Sequence, residues 1–360
     1  MLCSFTCFCM RLCIFNPEHD LCLAKGRWNY VPPRSAVDFA RRDADIMSVL
    51  YPGAVCTSVY AMLPWHGNMP DSVTAWGWDA VVKHELLKRG ISAELLPSDE
   101  EIATIRELQH RSTVLPLQPD CHEVRSIEEM ESLLRECEHW VMKAPWSGAG
   151  RGLRWVHGSL TPIDRDWLLK TVATQRCIIA EPRRDVVADL ALEYRVSRSS
   201  PGTGEVPKGR RGETKTGEQY PLPPSGYSPL TGGDRGGVAG SSPGTGDKHE
   251  VRWTSAKCDG GVEFLGYSYF KTGSGVYKEN MPWTDTQIEA AFPVREARER
   301  IEPWLDANVV PRYRGPLGVD LMLCADGSVH VAEINFRHTM GMVAHEQIVG
   351  TRRAVSAENR

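Results

Sequence analysis

The run GVDLMLCADGSVHVAEINFR, Gly318 to Arg337, constrains this chain more than any other stretch. Asp326-Gly327 lies between two apolar runs, which is the strongest short-range hairpin signal, because a tight turn needs positive φ where glycine adopts it freely. With the turn centred there, Ala325 pairs with Ser328, Met322 opposes Val331 and Asp320 opposes Glu333. Side chains alternate along a strand, so Asn335 and Arg337 share the face of Glu333. Two carboxylates directly opposed repel each other. A hard divalent cation between them removes the conflict, and an all-oxygen set is what Mg²⁺ takes. The competing reading is an exposed sheet edge with scattered charges.

The rest of the chain supplies a frame for that hairpin. Its length, 360 residues, allows about two domains with real cores. Hydrophobic residues make up 41% and charged residues 24%, as in ordinary globular proteins. A net charge of −4 gives no reason to expect a nucleic-acid partner. No apolar run reaches the roughly 20 residues of a membrane span. Cys56, Cys121, Cys137, Cys177, Cys258 and Cys324 each stand alone, which fits reduced thiols and a cytoplasmic location. Cys3, Cys7, Cys9 and Cys13 cluster, but their spacing matches no metal-ligand pattern. The first residues lack the basic start and cleavage site of a signal peptide. The regular pattern begins at Met10, so residues 1–9 are expected to be an artefact of the assigned start.

Arg11 to Phe15 reads as a first strand running into the polar turn Asn16-Pro17-Glu18-His19-Asp20. Asp79 to Arg89 reads as an amphipathic helix closed by Gly90, and Ile91 to Leu96 as the next strand. Helix, glycine, strand is the order of an α/β domain. Glu100 to His110 and Ser126 to Cys137 read as helices, and Trp140 to Lys143 as a strand. Residues 197–248 are rich in Gly, Pro, Ser, Thr and charge, and SPGTG occurs at both ends. Such a segment buries too little apolar surface to offset its ordering entropy, so it is expected to be a disordered insertion. Strand-like sequence flanks it, Leu190 to Val196 before and Gly261 to Phe270 after, which places it inside a domain.

The strand ending in Lys143 is followed by Ser147, Gly148, Gly150 and Gly152, then by an apolar run. A glycine-rich turn exposes backbone N–H groups to a phosphate. It is not a Walker loop, since no Lys-Ser/Thr pair closes it and no helix clearly follows. A plain β-hairpin is the other explanation.

A strand ending in Lys143, a glycine flap, the apolar strand Cys177 to Pro182, Gly318-Val319-Asp320 and Glu333-Ile334-Asn335-Phe336-Arg337 follow one another in this order. Together they resemble the ATP-grasp superfamily over roughly residues 110–345. FNPEHD at one end and EINFRHTMG at the other resemble a bacterial subgroup of it. The resemblance implies an N-terminal α/β domain over residues 10–110, of the kind that precedes the grasp fold. A two-subdomain α+β ATP-grasp domain would then span 111–360, interrupted by the insertion. It further implies ATP and Mg²⁺ as cofactors. Lys143 would meet the phosphates, the flap from Trp146 to Gly152 would cover them, and Ile179, Ala180 and Glu181 would read adenine. Asp189, or less favourably Glu193, would bind ribose. Asp320, Glu333 and Asn335 would hold the metal. Arg337 would stabilise developing charge, with a structural salt bridge as the other reading. Arg111, and Lys271 or Lys278, are further candidate phosphate cations. Glu18, His19, Asp20 and Trp78 are candidates for the acceptor pocket, unless FNPEHD is only a turn.

The implied activity is an ATP-dependent ligase joining a small-molecule or peptide carboxylate to an amine or thiol through an acyl phosphate. The alternatives are a small-molecule kinase and a nucleotide-binding protein without turnover. The final residues, AVSAENR, carry no strong pattern, so a truncated reading frame that lacks some of the helices behind the metal motif is one expectation.

Overall fold

The computed structural model describes residues 10–147, 152–197, 260–273 and 276–358, with the backbone alone for 276 and 351–358. The candidate flap residues Gly148 and Gly150, the N-terminal cysteines Cys3, Cys7 and Cys9, and Cys258 lie outside the described residues, as does the expected insertion except Ser197.

The chain opens with β1 (Arg11–Ile14), α1 (His19–Lys25), α2 (Arg34–Arg42), α3 (Met47–Leu50), β2 (Val55–Thr57), β3 (Ser72–Ala75), α4 (Ala80–Lys88) and α5 (Asp99–Leu108). The three strands form a parallel sheet in the order β2-β1-β3. Leu12 and Ile14 bury one face against Val82 and Leu86 of α4. Cys13 and Phe15 bury the other against Met47 and Leu50 of α3. A strand covered on both faces reads as a continuous apolar run, as RLCIF does. Asp79 caps α4 by accepting from the N–H groups of Val81 and Val82, and Ser98 and Glu101 form a capping box on α5. The strand expected over Ile91 to Leu96 is instead a single 3₁₀ turn, Ala93–Leu95. Ser92 accepts a hydrogen bond from the Glu94 N–H, and that local bond competes with a sheet ladder.

A small antiparallel sheet follows: β4 (His122–Val124), α6 (Ile127–Glu136), β5 (His139–Lys143), β6 (Leu153–His157), α7 (Pro162–Gln175) and β7 (Ile178–Pro182), in strand order β4-β7-β5-β6. Trp140, Met142, Val156 and Ile178 pack with Met130, Leu134 and Leu168 of the two helices. Lys143, Val141, Ile179 and Glu181 therefore face the other way.

A five-stranded antiparallel sheet completes the fold: β8 (Val186–Ser197), β9 (Gly261–Gly273), β10 (Val276–Met281), α8 (Asp285–Ala291), α9 (Val294–Asn308), β11 (Gly315–Cys324), β12 (Val329–Asn335) and α10 (Met340–Glu358), ordered β10-β9-β8-β11-β12. Leu190, Leu192, Tyr194, Val319, Leu321 and Ile334 bury one face against Ile301 and Leu305 of α9. Each of those fully buried aliphatics contributes about 1.5–3 kcal/mol. A parallel α/β unit followed by two antiparallel sheets with helices is the α/β and α+β class expected. After the metal motif α10 runs from Met340 to Glu358, through part of the AVSAENR stretch that showed no pattern in the sequence. Its Met342 and Val343 pack onto the N-terminal sheet. No helix among the described residues is long and apolar enough to cross a membrane.

The β11–β12 register places Asp320 opposite Glu333 and Gly318 opposite Asn335, as expected, but by a different route. Met322 faces His330 rather than Val331, and Leu323 faces Val329. The turn holds three residues, not two, with the Cys324 N–H bonded to the Ser328 carbonyl at 2.9 Å and Gly327 at φ 83°. Asp326 favours this wider turn, because its side chain accepts from both the N–H and the hydroxyl of Ser328. A bulge at Ala332 then adds one residue back, and the carboxylates meet.

Candidate active site

The face of the large sheet turned away from α9 is built by alternation. Asp189, Ala191 and Glu193 on β8 stand opposite Met322, Asp320 and Gly318 on β11. Glu333 and Asn335 extend the row on β12. One face thus carries four carboxylates and an amide. Asn335 Nδ2 donates to Asp320 Oδ2 at 3.0 Å. Burial, then the charges of Glu333 and Glu193, push the Asp320 carboxyl well above the usual range. An acid held there without a cation is electrostatically unfavourable.

Glu193 lies deepest. It accepts hydroxyl bonds from Ser268 at 3.0 Å and Thr339 at 2.8 Å. Thr339 also accepts from the Met342 N–H, which caps α10. The helix comes so close here that a Cβ on Gly341 would sit 2.0 Å from Glu193 Oε1. Burial pushes Glu193 up to about 7 against both hydroxyls. Its contribution to stability is complete below the ordinary carboxylate pKa and is lost as pH rises through about 7. Glu193→Gln is accordingly expected to gain stability relative to the parent as pH rises from 5 to 8, by about 1–3 kcal/mol in paired denaturant titrations. Asp189 is half-buried and accepts from Thr272 Oγ1 at 2.6 Å. It is the more accessible of the two acids weighed for ribose.

The cations come from elsewhere in the chain. Arg111 opens a 3₁₀ segment, Arg111–Leu117, just after α5. It donates to the Ala144 carbonyl at 2.6 Å, to Ser147 Oγ, to the Ser147 carbonyl at 3.2 Å and to Glu333 Oε2. One guanidinium therefore joins the base of the glycine hairpin to the acidic face of the large sheet. Lys143 is buried and donates to Glu181 Oε2 at 2.8 Å, a diagonal neighbour on the open face of the small sheet. Gly152 closes the hairpin base, its carbonyl accepting from the Ala144 N–H at 2.8 Å. Trp146 is anchored, not free to cover a ligand: its indole N–H bonds to the Arg106 carbonyl at 2.8 Å. Ala180 is fully buried between His122 and Met142 inside the sheet. The strand continues past it to Pro182, which pairs with Trp140, and the Arg183 N–H bonds to the His139 carbonyl at 2.9 Å. Lys271 points to the opposite face from Ser268 and Phe270 and pairs with Glu279 at 3.3 Å. Lys278 is exposed, at a bulge in β10.

The two N-terminal motifs interlock. Asn16 donates to the Gly77 carbonyl at 2.7 Å and to Asp79 Oδ2 at 3.1 Å. His19 Nδ1 lies 3.3 Å from the same Asp79 oxygen. FNPEHD is therefore more than a turn: it is clamped to WGWD. Trp78 packs half-buried between the first and last cores. Glu18 accepts from Tyr60 at 2.6 Å, and burial raises its pKa to about 7 despite that bond. Glu18 Oε2 and His19 Nε2 are buried with no hydrogen-bond partner among the described residues. Arg337 is half-buried, and its guanidinium reaches back to Asp20 Oδ2 at 3.0 Å. Burial opposes charge on Asp20, but Arg337, then His19, outweigh it and hold the carboxyl below its usual range. The salt-bridge reading of Arg337 thus describes a pair that spans both ends of the site.

His338 was left out of the catalytic set because strand alternation turns it to the other face, and the roles of Asn16, Asp79 and Tyr60 in this clamp were not read from the sequence. The residues assigned to Mg²⁺ fit it. They offer two carboxylates and a carboxamide, all hard oxygens. Asp320 keeps one oxygen, and Asn335 its carbonyl, free of protein donors among the described residues. Glu333 is shared with Arg111, which would have to yield part of its contact.

No protein-family model matches the sequence, and no curated protein matches it significantly. Solved structures with a similar layout include N5-carboxyaminoimidazole synthetase from Staphylococcus aureus complexed with ADP, at 10% identity over 92% of this chain and 71% of that chain, TM-score 0.46. Biotin carboxylase from Campylobacter jejuni is 11% identical over 95% of this chain and 70% of that chain, TM-score 0.47. D-alanyl-alanine synthetase A from Vibrio cholerae is 11% identical over 94% of this chain and 91% of that chain, TM-score 0.43. All three are ATP-grasp enzymes, the superfamily that the sequence motifs resemble. With TM-scores below 0.5, the residue roles rest on this chain's own geometry.

Proposed function

We propose that the protein is an ATP- and Mg²⁺-dependent ligase that activates a substrate carboxylate as an acyl phosphate for attack by an amine or thiol. The observation that carries this reading is Arg111, which touches both the glycine hairpin and the Asp320–Glu333 face. Phosphate-binding and metal-binding elements on two separate sheets thereby meet at one point. Residues 111–360 would form the nucleotide-binding part and residues 10–110 the acceptor side.

In this reading Mg²⁺ is held by Asp320, Glu333 and Asn335 and supplies charge neutralisation at the phosphates. Lys143 and Arg111 bind phosphate oxygens, and the backbone of Ser147, Gly148, Gly150 and Gly152 closes over them. Asp189 binds ribose, and the chain around Ala180 and Glu181 borders the adenine. Arg337, held in place by Asp20, lies where it stabilises the transferred phosphoryl group or the tetrahedral intermediate. The work is positioning and charge compensation, so no covalent nucleophile is needed.

Thermal shift with and without Mg²⁺·ATP tests the reading. The parent protein is expected to gain stability with the pair and Glu333→Ala to lose the gain, with Lys271→Ala behaving as the parent. ADP release that requires an added amine or thiol then separates ligase from kinase. A parent protein that shows no Mg²⁺-dependent response to ATP would refute the assignment.

A further inference from the structure

The open face of the small sheet carries a second cluster at the end away from the hairpin loop. His139 begins β5 and His157 ends β6, and the two are cross-strand partners. Their rings stack with centroids 4.2 Å apart at 14°. Glu138 precedes His139, and the Gly158 N–H holds its carbonyl at 2.8 Å. The ligand atoms of Glu138, His139 and His157 all lie within 4.8 Å of one another, and the three side chains are exposed. Neither imidazole hydrogen-bonds to a protein group among the described residues, so their nitrogens are available.

We propose that Glu138, His139 and His157 bind a divalent transition-metal ion of the zinc class, with water completing the coordination. Two imidazoles and one carboxylate are a donor set that zinc, cobalt and nickel accept and that magnesium does not favour. Tetrahedral bonds of about 2.0–2.1 Å to nitrogen need ring nitrogens roughly 3.4 Å apart. Exposed rings on paired backbone positions reach that spacing by side-chain rotation alone. The site is independent of the ligase reading and of its Mg²⁺ residues.

Position gives the site a consequence. Among the described strands β6 is an edge strand, bonded to β5 alone. Lys143 and Leu153 pair at one end of this two-strand ladder, and the histidine pair is the last rung at the other. An ion there clips the edge strand to its neighbour and braces the hairpin that carries Lys143 and the loop.

The test is calorimetric titration of ZnCl₂ into chelator-treated, reduced protein, repeated on His157→Gln, His139→Gln and Cys137→Ser. Both histidines are exposed, so the Gln variants are expected to keep the parent circular dichroism. Each is expected to bind one ion fewer per chain, or to bind at that site at least about ten-fold more weakly. Cys137, whose thiol lies against the His139 carbonyl, is outside the proposed ligand set, and its Ser variant is expected to bind as the parent does. A Co²⁺ complex of the parent is expected to show ligand-field bands without a thiolate charge-transfer band. Binding unchanged in both Gln variants, no binding in the parent, or loss of binding in Cys137→Ser overturns the proposal.

Discussion

Asp320→Asn is expected to make the nucleotide-free protein more stable while removing its response to Mg²⁺·ATP. The two effects have one cause. Asp320 is half-buried beside Glu333 and Glu193, and partial desolvation and those two charges disfavour its own. Asparagine has the same shape and keeps an oxygen to accept from Asn335 Nδ2, but carries no charge. Removing the penalty is expected to raise stability by about 1 kcal/mol, or roughly 2 °C in melting temperature. A group whose folded pKa is raised loses its contribution as pH climbs, so the advantage of the variant grows from about pH 4 toward neutrality. Mg²⁺ needs that same charge. Loss of one preorganised electrostatic partner typically lowers turnover by about 10²–10³-fold, and ADP release is expected to fall by that order. Melting curves and ADP release measured on one preparation read both effects. A variant that melts earlier and still responds to Mg²⁺·ATP would make Asp320 a structural group.

What the residues reveal of this fold depends on distance along the chain. The Asp320–Glu333 pairing was readable because hairpin register is local. Even so, two local features were hidden: the three-residue turn that Asp326 favours and the bulge at Ala332, which cancel. The helices read at Asp79 to Arg89, Glu100 to His110 and Ser126 to Cys137 were readable because helical signals are local, and side-chain caps at Asp79, Ser98 and Ser126 start them in the structure. Ile91 to Leu96 misled because a short apolar run has no period long enough to choose strand over turn. The contacts that assemble the site were beyond reach. Arg111 and Glu333 are 222 positions apart, and Asp20 and Arg337 are 317 apart. No propensity or spacing rule couples residues at that range. Arg111 was legible only as a spare cation, and its bridge between the two sheets emerges from the packing.

His338→Ala is expected to be the most destabilising single change in the EINFRHTMG segment, and its cost is expected to shrink in acid. His338 sits at the seam between the N-terminal sheet and the metal-motif strand. Its Nδ1 lies 3.1 Å from the carbonyls of both Ala75 and Trp76, and its Nε2 lies 2.8 Å from the Tyr51 hydroxyl. A neutral ring with the proton on Nδ1 satisfies all of them at once, donating on one side and accepting from Tyr51 on the other. Burial enforces that state and pulls the pKa from 6.5 to about 4, against the two carbonyls. Truncation leaves a cavity and buried polar groups without partners, for about 3 kcal/mol near neutral pH. Between the unfolded and folded pKa values the unfolded chain binds the extra proton, so this stabilisation is complete above pH 6.5 and declines down to about pH 4. Over that window the decline is also about 3 kcal/mol. Other titrating groups are common to both proteins and cancel in the difference. Denaturant curves for parent and variant at intervals from pH 7 to 4 should therefore converge. A gap that stays constant with pH would mean that the ring is not held neutral at this seam. The same comparison reaches the active site, because Arg337 and Thr339 flank His338 and hold Asp20 and Glu193. Loosening the seam is expected to weaken the Mg²⁺·ATP response without removing any group that would touch the nucleotide.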